Sequence, residues 1–410
     1  MNTTSKYWFT PAILAFLTAA CTTPPADSAE RPYDLAFQAH FAPEQKTVTA
    51  SIRVSQGAGE LRILDLSTPK SRFSDFTGDG SIRTEGPRTL WSVPKKGGEL
   101  RYRVTVDHRR HGAFDARMTD SYAIFRLDDL FPSARVRSRS GASSRASLSL
   151  TGPDDWSFET RFGPLKAPVA FDNPSRRFDR PTGWAIAGKI GIRRDDIGGV
   201  QVAVAAPVGD DFRRQDTLAF LNWTLPEVIR IFPGFPRLLI VGAGGEFWLG
   251  GLSGPGSLFL HSDRPLISEN RTSALIHELV HVATSSPPAP GDDWILEGIA
   301  EFYALDILHR SGGTSTRRAE EAFAALASWV SSDGGRLTDP STGANTARAA
   351  LLFRELAAEL DSAGSSIDVL AGELFSAPRA DRERLRAIAQ RLLGRPSKTL
   401  KRAYAELDEE

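Results

Sequence analysis

Residues 272–302 read Thr-Ser-Ala-Leu-Ile-His-Glu-Leu-Val-His-Val-Ala-Thr-Ser-Ser-Pro-Pro-Ala-Pro-Gly-Asp-Asp-Trp-Ile-Leu-Glu-Gly-Ile-Ala-Glu-Phe. Leu275, Ile276, Leu279, Val280 and Val282 fall at helical spacing, Asn270 or Thr272 can cap the start, and Ser286-Pro287-Pro288 ends the helix. On such a helix His277 and His281, four residues apart, lie on one face, so both imidazoles can reach one ion. This HExxH spacing suits zinc.

A catalytic zinc needs a third protein ligand and an open position for water. The segment Asp292 to Asp306 reads as a second helix offering Glu297, with fifteen residues, 282 to 296, between His281 and that carboxylate. Glu301 stands one turn further on the same face, where it can hydrogen-bond a ligand imidazole and select its tautomer. Glu278 is placed to act as general base, taking a proton from the activated water and passing it to a leaving amine. One zinc ion and an amide-bond substrate are the expectation. His40, His108, His111 and His309 have no comparable setting.

Upstream, residues 33–165 alternate apolar and polar in short runs, as in Thr47 to Val54, Glu60 to Leu66, Leu100 to Val106 and Ala146 to Leu150. Turn chemistry separates them, for example at Thr77-Gly78-Asp79-Gly80 and Lys96-Gly97-Gly98, which predicts an antiparallel all-β sandwich. From 166 to 312 the pattern turns mixed α and β. Strands are expected at Trp184 to Ile192, Val200 to Ala206, Arg237 to Val241 and Gly250 to His261, with a helix from Phe212 to Phe232. Residues 313–410, rich in Ala, Arg, Glu and Leu, predict a C-terminal helical region, for instance over Arg317 to Val330, Thr346 to Leu360, Ile367 to Leu374 and Asp381 to Leu393. Trp184, Trp223, Trp248 and Trp294 read as core.

The N-terminus reads as an address. Residues 1–20 carry Lys6, an apolar stretch from Tyr7 to Leu17 and the small residues Thr18, Ala19 and Ala20 before Cys21, the pattern of a secretory signal too short to cross a bilayer as a stable helix. Leu17-Thr18-Ala19-Ala20-Cys21 resembles a bacterial lipobox, which implies lipidation at Cys21, with residues 21–32 as a flexible tether. Thr22 after that cysteine fits outer-membrane sorting, so the expected location is the periplasmic face of the outer membrane. Cys21 is the single cysteine of the chain, which excludes internal disulfides and cysteine-based metal cages. Lys plus Arg and Asp plus Glu number 50 each, so no basic excess points to nucleic acid.

Trp294-Ile295-Leu296-Glu297-Gly298-Ile299-Ala300-Glu301-Phe302 resembles the Trp-Leu-Asn-Glu-Gly-Phe-Ala segment of the gluzincin peptidases, notably the membrane alanine aminopeptidase family and its glycyl aminopeptidase relatives. The resemblance implies a β domain followed by a thermolysin-like catalytic domain and a helical domain, with Glu297 as third zinc ligand. It also implies a substrate-binding edge strand at Gly250-Gly251-Leu252-Ser253-Gly254, where this chain has Ser253 in place of the family's amine-gripping Glu. The family's tyrosine has no counterpart in Gly343-Ala344-Asn345-Thr346-Ala347-Arg348, which leaves Arg348, Tyr303 or His261 as candidate oxyanion donors. Two readings stay open: an active metallopeptidase, or a zinc-binding, catalytically weak scaffold that holds an envelope protein or peptide.

Overall fold

The computed structural model describes residues 31–172, 178–234, 237–284 and 286–408. The signal segment 1–20, Cys21 and most of the expected tether lie outside these residues. Arg31 and Pro32, assigned to the tether from sequence, instead begin the first strand, Arg31–Ala42. Along it Tyr33, Leu35, Phe37, Ala39 and Phe41 point inward while Asp34, Gln38 and His40 face out, the period of two that buries one side of a sheet.

That strand sits inside a six-stranded sheet, parallel to Ala142–Thr151 on one side and antiparallel to Thr47–Ser55 on the other. A four-stranded sheet built around Ile63–Ser67 and Arg88–Ser92 packs beside it, and a second six-stranded sheet is centred on Tyr122–Arg126 and Trp184–Gly188. Phe37, Phe41, Ile52, Trp91, Tyr102, Phe125 and Phe131 belong to one core that these layers share.

The expected boundary at residue 165 moves. Val169–Asp172 pairs with Ala142–Thr151, and Trp184–Gly188 pairs with Tyr122–Arg126, so both belong to the N-terminal sheets. The expected strand from Trp184 to Ile192 is two strands in two sheets, parted at Gly188, whose φ of +117° lets the chain turn away. The reason lies in burial: all five residues of Trp184–Gly188 are buried. Ala185 and Ala187 enter the N-terminal core, whereas Trp184 and Ile186 enter a second core shared with the next sheet. A strand buried on both faces carries no alternation to show where it belongs.

The next sheet has the order Ile190–Ile197, Val200–Pro207, Arg237–Ala243, Ser257–His261, Gly251–Gly254. The middle three run parallel, the first pair of them joined through the helix Arg214–Ile231, and Gly251–Gly254 closes one edge antiparallel to Ser257–His261. The sequence-based strand from Gly250 to His261 is thus a hairpin. On one face Ala203, Ala205, Leu239, Val241 and Phe259 meet Trp184 and Ile186, and on the other Val202, Val204, Leu238, Ile240 and Leu258 meet the helices.

The helices Ala274–Thr284 and Asp293–Arg310 pack on that second face, followed by Thr316–Asp333, Ala344–Asp361, Ile367–Phe375, Arg382–Leu393 and Lys398–Asp408. Among the expected core tryptophans Trp184 and Trp294 are buried, but Trp223 is 37% exposed at a helix surface. No helix among the described residues is long and apolar enough to cross a membrane.

Candidate metal centre

The motif helix, Ala274–Thr284, buries Leu275, Ile276, Leu279, Val280 and Val282, which turns His277, Glu278 and His281 toward the opposite, open side. Ser273 caps it, its hydroxyl accepting from the Ile276 N–H at 3.3 Å. Neither Asn270 nor Thr272 takes that place: the Thr272 hydroxyl instead donates to Glu301 Oε1 at 3.2 Å.

The second helix, Asp293–Arg310, is held at both ends by the C-terminal helices. At its start Asp292 accepts from the Arg382 backbone and guanidinium at 3.0 and 2.8 Å, and at its end Arg310 makes a two-pronged pair with Asp368 at 2.8 and 2.9 Å. Midway, Gly298 sits against Ala344–Asp361 so closely that a Cβ there would lie 2.6 Å from the Ala349 Cβ. These constraints set the axial position of Glu297.

The structure brings His277, His281 and Glu297 together, with one ligand atom from each within 4.8 Å of the others. The two Nε2 atoms are 3.1 Å apart, His277 Nε2 is 3.4 Å from Glu297 Oε2, and His281 Nε2 is 3.5 Å from Glu297 Oε1. The two distances to Glu297 run to its two different oxygens, so the carboxylate faces both imidazoles at once. Glu301 Oε2 accepts from His277 Nδ1 at 3.1 Å, which leaves Nε2 facing the other ligands.

Burial opposes a charged His277 ring, but hydrogen bonds to Glu297 and Glu301 outweigh it and push the imidazole up to about 10. Burial likewise opposes ionised Glu297, yet the two histidines hold its carboxyl down at about 2. The cluster is a receptacle for positive charge that a proton fills in the metal-free chain and that a divalent cation fits in its donor set.

Glu278 lies on the same helix against the edge strand Gly251–Gly254. A Cβ at Gly251 would come within 2.4 Å of the Glu278 Cγ and 2.9 Å of its Oε1, so the absent side chain is what lets strand and carboxylate approach. Gly250 precedes this strand, its carbonyl accepting from the His261 N–H at 3.0 Å, and Leu252 and Ser253 continue it as partners of Phe259 and Leu258.

The three oxyanion candidates make contacts with other parts of the structure. Tyr303 is fully buried and donates to Asp368 Oδ1 at 2.9 Å. Arg348 pairs with Glu406 of the last helix. His261 is 2% exposed, with Nδ1 accepting from the Asp263 N–H at 3.1 Å and Nε2 beside the Gly245 carbonyl at 3.5 Å. Two residues went unnoticed in the sequence as site components: Thr272, which steadies Glu301, and Arg126, whose Nη1 donates to the Ser253 carbonyl at 3.4 Å. A helix-capping signal masked the first, and the second comes from a distant strand.

No family model matches the sequence, and no curated protein matches it. Among solved structures, the fold is similar to that of an aminopeptidase N family protein and of M1 zinc metallopeptidases. An aminopeptidase N family protein from Idiomarina loihiensis superposes with a TM-score of 0.66 at 15% identity, covering 83% of this chain and 70% of that one. The M1 zinc metallopeptidase from Deinococcus radiodurans gives a TM-score of 0.58 at 15% identity, covering 92% of both chains. A point mutant of that protein bound to a Tyr-Ser-Ala substrate gives 0.59 at 15% identity, covering 92% of this chain and 93% of that one.

Proposed function

We propose that this chain is a zinc-dependent metallopeptidase that hydrolyses peptide bonds with Glu278 as general base. The observation that carries the reading is the convergence of two imidazole Nε2 atoms and the Glu297 carboxylate within 4.8 Å, with Glu278 beside a sheet edge that no further strand covers among the described residues. His277, His281 and Glu297 would hold one zinc ion, which supplies a Lewis acid that makes water nucleophilic at neutral pH. Glu278 takes the proton of the attacking water and delivers it to the leaving amine, so no covalent intermediate with the protein forms. Glu301 keeps His277 in the ligating tautomer. The free edge of Gly251–Gly254 pairs with an extended substrate by strand addition and lays the scissile bond beside Glu278. A peptide held in a neighbour of the same fold supports the substrate class.

The direct test measures zinc content and cleavage of a diverse peptide library by a soluble form starting after Cys21, beside Glu278→Gln. One zinc per chain is expected in both proteins, with cleavage falling at least about 100-fold in the variant. Zinc without Glu278-dependent cleavage would favour the scaffold reading, and no zinc would sink both. The location proposed with this function is lipid attachment through Cys21 on the periplasmic face of the outer membrane. Cys21→Ser should then abolish incorporation of labelled fatty acid and release the chain into the soluble fraction; unchanged labelling would overturn the anchor.

A further inference from the structure

We propose that Arg126 turns one end of the edge strand into a carboxylate subsite, so that the cleft selects peptides carrying a carboxylate about two residues from the bond that is cut. This inference rests on the peptidase reading, which it deepens by naming the substrate class.

Gly251 fixes one end of the geometry, because the space where its Cβ would be is filled by Glu278. A strand rises about 3.3 Å per residue, so Ser253 is about 6.6 Å further along, the span of two substrate residues. There the strand Tyr122–Arg126 of the N-terminal sheet ends, and the Arg126 Nη1 reaches the Ser253 carbonyl at 3.4 Å. The Arg126 Nε is occupied by Asp128 Oδ2 at 2.9 Å, which orients the guanidinium, while Nη2 has no partner among the described residues. The Arg126 side chain is 35% exposed and that of Asp128 16%, so the cation is the more accessible member of the pair.

A second donor stands beside it. The Trp184 ring lies 5.8 Å from the Arg126 guanidinium, and its indole N–H is buried without an acceptor. A Cβ at Gly254 would lie 3.2 Å from the Trp184 Cδ1, so the bare backbone of the edge strand packs closely against the ring. The residues Gly250 to Gly254 bring no acidic side chain to balance these donors. The Nη2 amino group offers N–H donors to a carboxylate oxygen, and the guanidinium charge repels a substrate ammonium at the same position. An Asp or Glu side chain and a free C-terminus share this chemistry.

The experiment uses the zinc-loaded full chain carrying Glu278→Gln, so that binding is read without turnover. Matched fluorescent peptides carry Glu or Gln two residues to either side of a central apolar pair, each with a free or an amidated C-terminus, and their affinities are read by anisotropy. Peptides with a carboxylate should bind at least about tenfold tighter than their neutral partners. The Glu/Gln and acid/amide arms show which source of carboxylate is used. Adding Arg126→Gln should bring the ratio near one, and adding Asp128→Asn, which removes the internal competitor, should raise it; melting temperature and zinc stoichiometry report that each variant is folded. Equal affinity for acidic and neutral peptides, or a preference that survives Arg126→Gln, overturns the subsite. Cleavage of the same set by the unsubstituted chain separates the two claims. Turnover without carboxylate preference leaves the peptidase standing and sinks the subsite, whereas preferential binding without turnover does the reverse. If no peptide binds or is cut, both fall.

Discussion

At the scale of single residues the candidate site depends on groups that hold its side chains in place. Glu301 joins His277 to Thr272 through its two oxygens, so its loss frees both the tautomer and the ring angle of a ligand. Glu301→Ala is expected to weaken zinc affinity by about 10–100-fold, read by competition with a chelator, while the fold is retained. An affinity within twofold of the parent would remove Glu301 from the site. Gly251 acts by what it lacks. Gly251→Ala forces its methyl group into the Glu278 Cγ and must displace the carboxylate or the strand. Turnover should drop by about tenfold or more with zinc stoichiometry unchanged, because a misplaced base loses orientation and not the metal.

Paired elements carry the electrostatics. The motif helix presents His277 and the second helix presents Glu297 and Glu301, so in the metal-free chain a proton bridges the two. The His277 value is raised from 6.5 to about 10, so its stabilisation is full below pH 6.5 and lost as pH rises through about 10. The Glu297 value is lowered from 4.5 to about 2, so its contribution is full above pH 4.5 and lost as pH falls through about 2. Both are complete between pH 4.5 and 6.5, and the melting temperature of chelator-treated protein should gain most from the pair in that window. Glu297→Gln should flatten this dependence, and an identical profile in the variant would contradict the helix-to-helix ion pair. Because zinc must displace the His277 proton, zinc affinity rises with pH over the same approach to about 10.

At the scale of the whole molecule the N-terminal sheets and the five-stranded mixed sheet are fused through a common core. Phe259 packs within it at a tilt against Trp184 and Phe247, with ring centroids 5.4 and 5.5 Å apart. Phe259→Ala should cost about 3–5 kcal/mol in denaturant unfolding and expose the joint near Gly188 to limited proteolysis. A loss under about 1 kcal/mol would mean that the two layers do not depend on this contact. The same joint explains why the domain boundary was misplaced in the sequence: the Trp184–Gly188 strand looks equally buried from either side, and only its partners, Tyr122–Arg126 and Ser157–Thr160, assign it to the N-terminal sheets.

The spacing His277-Glu278-xx-His281 and the alternation along Arg31–Ala42 are local patterns, and local geometry turns them into one helix face and one sheet face without reference to distant residues. The helical character of the last hundred or so residues is legible for the same reason. Glu297 could be nominated from sequence because a single short connection separates its helix from the motif helix. Tyr303, Arg348 and His261 could not be sorted in this way. Their side-chain directions depend on Asp368, Glu406 and the loop at Gly245, partners that sequence spacing does not bring into view. The sequence alone determined the candidate ligand set His277 and His281, its helical register and the order of β, mixed and helical regions, because backbone periodicity decides those. The tertiary structure alone decided that Gly251 lies on Glu278, that Thr272 serves Glu301 and that Arg126 reaches Ser253, because each contact is made by packing between segments far apart in the chain.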